Sequence, residues 1–95
     1  MMKNRTRDAV AEYFDKICKA SSKSDAEIAR AIGFDESRAT YVSAIRKGDA
    51  KLPINMVIPL TKALGSDSYE LLLLCLRTYA PDTARVVEAL MQKRR

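Results

Sequence analysis

Histidine and tryptophan are absent from this chain of 95 residues, and cysteine, glycine and proline are scarce. Without histidine, the sequence lacks both the usual general base near neutral pH and the commonest metal ligand. Cys18 and Cys75 lie 57 positions apart, each inside an apolar helical pattern, so we expect two reduced core thiols rather than a zinc site or a disulfide. A glycine-rich phosphate loop is also missing. The sequence therefore predicts a protein that is not an enzyme and uses no metal or cofactor.

Long hydrophobic runs are missing as well. The longest apolar run, Leu71–Leu76, is far too short to span a bilayer. The first 21 residues carry charges throughout and contain no apolar signal core. Hydrophobic residues nevertheless make up 47% of the chain, which is enough for one small folded domain. We expect a soluble, cytoplasmic protein with no membrane partner.

Positive charge is in modest excess but is locally concentrated. The formal net charge is +5. Four basic residues, opposed by a single acid, fall within fourteen positions: Arg38, Arg46, Lys47 and Lys51. Such a stretch is typical of surfaces that neutralise a few phosphates and bind more weakly as salt rises. An ordinary solvated helix face is the alternative interpretation.

Apolar residues recur at three- and four-residue steps along the chain, which predicts an all-α fold without strands. We expect the first helix to run from Thr6 to about Lys19. Ser24 and Glu27 form a capping-box pattern that opens a second helix, and Gly33 is expected to end it in a left-handed conformation.

The next two helices are bounded by similar signals. Asp35 is expected to cap a third helix that ends at Gly48. A fourth helix is expected to start near Asn55, because a proline such as Pro59 is tolerated only near a helix start. Ile58 is expected to be among its buried residues.

The last part of the chain predicts two more helices. Asp67 and Glu70 form a second capping-box pattern, which opens a helix through Tyr79. The dipeptide Pro81-Asp82 is expected to break that helix. A final amphipathic helix is then expected from Thr83 to about residue 93.

Three segments carry a resemblance to a known family: AEIARAIGF, VSAIRKG and LPINMVIPLTKALG. Together they resemble the phage-repressor/Cro type of helix-turn-helix, also called the xenobiotic-response-element family. The resemblance implies a five-helix repressor-like domain at residues 6–82, preceded by a basic arm at residues 1–5. An additional C-terminal helix at residues 83–95 lies outside the family pattern. Fifteen positions separate Gly33 from Gly48, about three more than that pattern has.

The same resemblance implies double-stranded DNA as the partner, with the third helix reading it. With Val42 and Ile45 facing inward, base contacts are expected from three residues: Arg38, Thr40 and Ser43. Contacts to the DNA backbone are expected from four others: Tyr41, Arg46, Lys47 and Lys51. For Arg38, an ion pair with Asp35 or Glu36 is the alternative.

The leucine-rich fifth helix and the final helix carry more apolar surface than one small core needs. We therefore expect a homodimer whose interface is formed by six residues: Leu72, Leu76, Val86, Val87, Leu90 and Met91. The alternative is that the final helix folds back onto its own domain.

These observations favour a sequence-specific DNA-binding transcriptional regulator, expected to be a repressor that acts as a homodimer. The alternative is a protein-interaction module on the same fold: an antitoxin, a phage-encoded inhibitor or an accessory subunit. The longer turn after Gly33 and the acids Asp35 and Glu36 favour that alternative, whereas the basic stretch from Arg38 to Lys51 opposes it.

Overall fold

Helices account for most of the chain in the computed structural model, which describes residues 8–35 and 38–93. The elements of the described residues are α1 Ala9–Ser21, α2 Asp25–Ala31, α3 Ala39–Lys47, a 3-10 turn Ile54–Met56, α4 Val57–Leu64, α5 Ser68–Tyr79 and α6 Pro81–Lys93. These ranges contain no strand, so the all-α prediction is confirmed for them. The predicted arm at residues 1–5, the helix start at Thr6 and the acid Glu36 lie outside the described residues.

The helix starts follow from short polar side chains that accept backbone amides. At α2 the predicted capping box is confirmed: Ser24 Oγ accepts the Glu27 amide at 3.1 Å, and Glu27 Oε1 accepts the Ser24 amide at 2.8 Å. Asp67 caps α5 as predicted, but it accepts the amide of Tyr69, at 2.9 Å, instead of forming a capping box with Glu70.

Two glycines end the helices on which the candidate site depends. Gly33 follows α2 with a φ of 91°, and Gly48 follows α3 with a φ of 87°. This left-handed conformation lets the Phe34 amide reach the carbonyl of Ala29 at 2.9 Å, which satisfies an otherwise unpaired group of the last turn. Both predicted helix ends are confirmed.

The core lies where the first five helices meet. Each of them contributes a large side chain with almost no exposed surface, namely Phe14, Ile28, Ile45, Leu60 and Leu71. α1 packs against α3, α4 and α5, and α2 packs against α3 and α4, whereas α6 packs against α5. None of the helices in the described ranges is long and apolar enough to cross a membrane.

Two sequence predictions about α4 and α6 are wrong. Ile58 is 57% exposed, because Thr61 takes the inward position beside Val57 and donates its hydroxyl to the Val57 carbonyl at 2.8 Å. α5 ends at Tyr79 as predicted, but α6 begins at Pro81, two residues before the expected start at Thr83, and only Ala80 separates the two helices. Proline suits a first helical position, since the amide that it lacks would be unpaired there.

The start of α3 also differs from the prediction. The N-cap is Arg38, which makes no side-chain capping bond, so Asp35 is not the cap of this helix. The Asp35 carbonyl instead accepts the Arg38 amide at 3.0 Å, in a turn that precedes the helix. The additional residues between Gly33 and Gly48 therefore lengthen the connection before α3 and not the helix itself.

The predicted reduced thiols are confirmed as free and buried. Burial raises the pKa of Cys18 to about 12 and that of Cys75 to about 11.

Since only the thiolate is nucleophilic, we expect neither thiol of the folded protein to react with a chromogenic disulfide at mildly alkaline pH. After unfolding in denaturant, both should react. Rapid reaction of either thiol in the folded protein would contradict this packing.

Candidate nucleic-acid interface

The outer face of α3 is defined by the two side chains that the helix buries. Val42 and Ile45 each expose 1% of their surface and face the core. At 100° per residue, Thr40 and Lys47 lie on the opposite side of the helix, and both are exposed. Ser43, predicted to contact bases, lies at the edge of this face and is half-buried.

Small side chains characterise this face. Ala44 lies beside Ser43 and is also half-buried, so three small residues occupy the middle of the helix. A helix with such a surface can bring its backbone close to a groove, and an alanine methyl suits contact with the methyl group of thymine. Ala44 was not among the residues predicted to contact DNA, although its position four residues after Thr40 places it on the same face.

Arg38 rests on an aromatic side chain at the start of α3. Its guanidinium carbon lies 5.0 Å from the centroid of the Phe34 ring, within the range of a cation–π interaction. The Phe34 ring also lies 6.4 Å from that of Tyr41, tilted by 51°. Both rings are half-buried against the core. The packed rings hold the Arg38 side chain at the N-terminal end of α3, over Phe34.

Tyr41, predicted to contact the DNA backbone, lies on the flank of α3 rather than on its outer face. Its ring packs against the core. Any contact between this residue and a phosphate is thus limited to its hydroxyl group.

Arg46 has a role different from the predicted contact with the DNA backbone. Its Nε donates to Asp15 Oδ1 at 2.7 Å, and its Nη1 donates to Asp25 Oδ1 at 2.6 Å. The arginine side chain is only 20% exposed. Burial lowers the pKa of Arg46, but the hydrogen bonds to Asp15 and Asp25 outweigh that effect and raise it overall. Arg46 therefore connects α3 to α1 and α2, and these two carboxylates take the place of the predicted phosphate partner.

The two lysines predicted to contact phosphates remain accessible. Lys47 is exposed in the last turn of α3, and Lys51 is exposed in the loop that follows. The Lys51 ammonium lies 5.2 Å from the centroid of the Tyr79 ring on α5. Burial raises the pKa of Tyr79, and a hydrogen bond with the Leu52 backbone opposes the rise. These contacts attach the loop to the end of α5 and give Lys51 a defined position.

The residues predicted for a dimer interface divide into two groups. Leu76 is buried, and Leu72 is half-buried against the core, so α5 is largely covered within its own chain. The interface predicted at Leu76 is therefore wrong, because α6 folds back onto α5 and takes up that surface. On α6, Val87 is half-buried, whereas Val86, Leu90 and Met91 stay exposed.

No protein-family model matches this chain, and comparisons with curated proteins and with solved structures find no match either. The resemblance to a helix-turn-helix protein therefore rests on the motifs in the sequence alone. In the structure α2 and α3 pack against each other. Seven residues, 32 to 38, connect them, whereas the turn of a helix-turn-helix has about three to four residues. Within the described ranges, no cluster of candidate ligands is placed to hold a metal ion.

We expect Arg46→Ala to lower the free energy of unfolding by about 1–3 kcal/mol, because it leaves two partly buried carboxylates without their shared donor. Lys47→Ala is the matched control: it removes a neighbouring charge that is exposed, and a change within about 0.5 kcal/mol is expected. Chemical denaturation of the two variants measures both values. Equal stabilities of the two variants would contradict the bridging role of Arg46.

Proposed function

We propose that this protein binds double-stranded DNA by placing the outer face of α3 in the major groove. The observation that carries the proposal is the composition of this face. Small side chains at Thr40, Ser43 and Ala44 lie between Arg38 at one end and Lys47 at the other. The major groove admits one α-helix, short side chains let such a helix approach the base edges closely, and basic residues at its ends can contact phosphates.

In this proposal the base contacts come from the first half of α3. The Arg38 guanidinium can donate two hydrogen bonds to one guanine while its flat side stays on Phe34. Thr40 and Ser43 have hydroxyl groups that reach base edges only at close approach. Lys47 and Lys51 bind phosphates on the rim, where they position the protein without reading sequence.

A DNA-binding protein without catalytic groups acts by occupying its site. We therefore propose a transcriptional regulator, and specifically a repressor, since a small domain bound to an operator excludes other proteins from the same groove. One reading helix makes few contacts. Useful affinity and specificity then require two copies on two half-sites about one helical turn apart.

A protein-interaction module is the second candidate, and a specific observation favours it. Ile54 and Ile58 lie one helical turn apart and expose 45% and 57% of their surface, next to the loop that carries Lys51. An exposed apolar pair of this kind suits a protein partner better than a phosphate backbone. Under this alternative, the side of the domain around α4 makes the functional contact.

A salt series of binding to duplex DNA, followed by fluorescence anisotropy, separates the two candidates. For a DNA-binding protein, the logarithm of affinity should fall linearly with the logarithm of salt concentration. Lys47→Ala and Lys51→Ala should each reduce that slope by about one. Lys62→Ala, which removes an exposed charge from α4, is the control and should leave the slope unchanged. Absence of binding at low salt would support the interaction module.

Base reading is tested separately, on the sequence that the protein selects from a random duplex pool. We expect Arg38→Ala to reduce the preference at a single base pair by about 1–3 kcal/mol. Its effect on binding to non-selected duplex should be much smaller. An equal loss on every sequence would make Arg38 a phosphate contact and contradict its assignment as a base reader.

A further inference from the structure

The ring of Phe34 contacts both the packed interior and a charged side chain. It packs against the core and against Tyr41, whose ring centroid lies 6.4 Å from its own. The Arg38 guanidinium lies over the same ring, with its carbon 5.0 Å from the centroid. Phe34 is half-buried and Arg38 is exposed. The ring therefore links an arginine at the surface to the rigid part of the domain.

Hydrogen bonds of the main chain hold the backbone at both residues. Gly33 adopts a φ of 91°, and the Phe34 amide donates to the Ala29 carbonyl at 2.9 Å. Further along the chain, the Arg38 amide donates to the Asp35 carbonyl at 3.0 Å. The points from which the ring and the arginine side chain extend are thus both fixed by the fold.

A guanidinium that lies over a ring keeps its hydrogen-bond donors for other partners. The group is planar and carries five N–H donors, whereas cation–π attraction acts through the face of the ring and uses no conventional hydrogen bond. Arg38 also makes no side-chain capping bond to α3. The ring therefore restricts this side chain without occupying the atoms that would read a base.

We infer that Phe34 is a positioning residue for base reading: its ring holds the Arg38 guanidinium in place in the absence of DNA and so sets sequence preference without touching a base. An arginine that is already ordered loses less conformational freedom on binding. Its placement matters because a bidentate contact to guanine depends on geometry. The inference rests on the proposed DNA binding and adds a second residue that determines specificity.

The contact between the ring and the arginine is tested first without DNA, by nuclear magnetic resonance. The face of an aromatic ring shifts nearby proton resonances upfield, so we expect the side-chain protons of Arg38 to lie upfield of their positions in the unfolded protein. Phe34→Leu keeps an apolar side chain against the core and should remove the shift, whereas Phe34→Tyr keeps the ring and should retain it. Unshifted Arg38 protons in the unmodified protein would overturn the inference.

Sequence preference is then measured as the ratio of affinities for the selected duplex and for a duplex in which the guanine pair is replaced. We expect Phe34→Leu to reduce this ratio about two- to fivefold, and Phe34→Tyr to preserve it. In an Arg38→Ala background, Phe34→Leu should cause no further loss, because the side chain that the ring positions is gone. A residue that only supports the fold would act in both backgrounds.

The outcomes separate this inference from the proposed function. If Arg38→Ala reduces the preference and Phe34→Leu does not, the positioning role is overturned and DNA binding stands. An equal loss from Phe34→Leu in both backgrounds would also overturn it, since the ring would then act through the fold and not through Arg38. A chain that binds no duplex at low salt would overturn both this inference and the proposed function.

Discussion

The position of α3 depends on one arginine that is shared between two carboxylates. Arg46 lies in the last turn of α3 and donates to Asp15 of α1 and Asp25 of α2. Because its side chain is mostly buried, these bonds are shielded from solvent and from salt more than a surface pair would be. The core fixes which side of α3 faces inward, at Val42 and Ile45, and the arginine fixes the helix against both neighbours. The role that we propose for α3 needs this kind of support, since small displacements of the helix would remove contacts to base edges.

The turn before α3 shows how a longer connection is accommodated. Seven residues separate α2 from α3, and Phe34 fills part of this segment by packing its ring against the core and against Tyr41. The Arg38 guanidinium also lies over the Phe34 ring. The additional length thus provides a platform for the side chain to which we assign base reading. The ordering of a long arginine side chain before binding reduces the entropy that binding would otherwise lose.

The outer face of α3 and the exposed side of α6 lie on different parts of the domain. α3 packs on α1 and α2, whereas α6 packs on α5, and α1 and α5 lie between them in the network of helix contacts. A substitution on the outer face of α3, such as Lys47→Ala, is therefore expected to leave the packing of α6 unchanged.

The sequence alone determined the order of the helices and several of their ends, because these depend on neighbours within a few positions, but it misplaced the starts of α3 and α6. The Ser24 cap, the turns at Gly33 and Gly48 and the end of α5 at Tyr79 were all predictable from such local patterns. It also determined the inward side of α3, since Val42 and Ile45 follow helical spacing. Only the tertiary structure decided the partner of Arg46, because Asp15 and Asp25 are far away along the chain and a basic residue near Lys47 looks like any other surface charge. In the same way, the exposure of Leu76 and Leu90 was decided only by the packing of the folded domain. Both residues belong to amphipathic helical patterns, but Leu76 on α5 is buried and Leu90 on α6 is exposed. Periodicity does not show which neighbouring helix will cover a side chain.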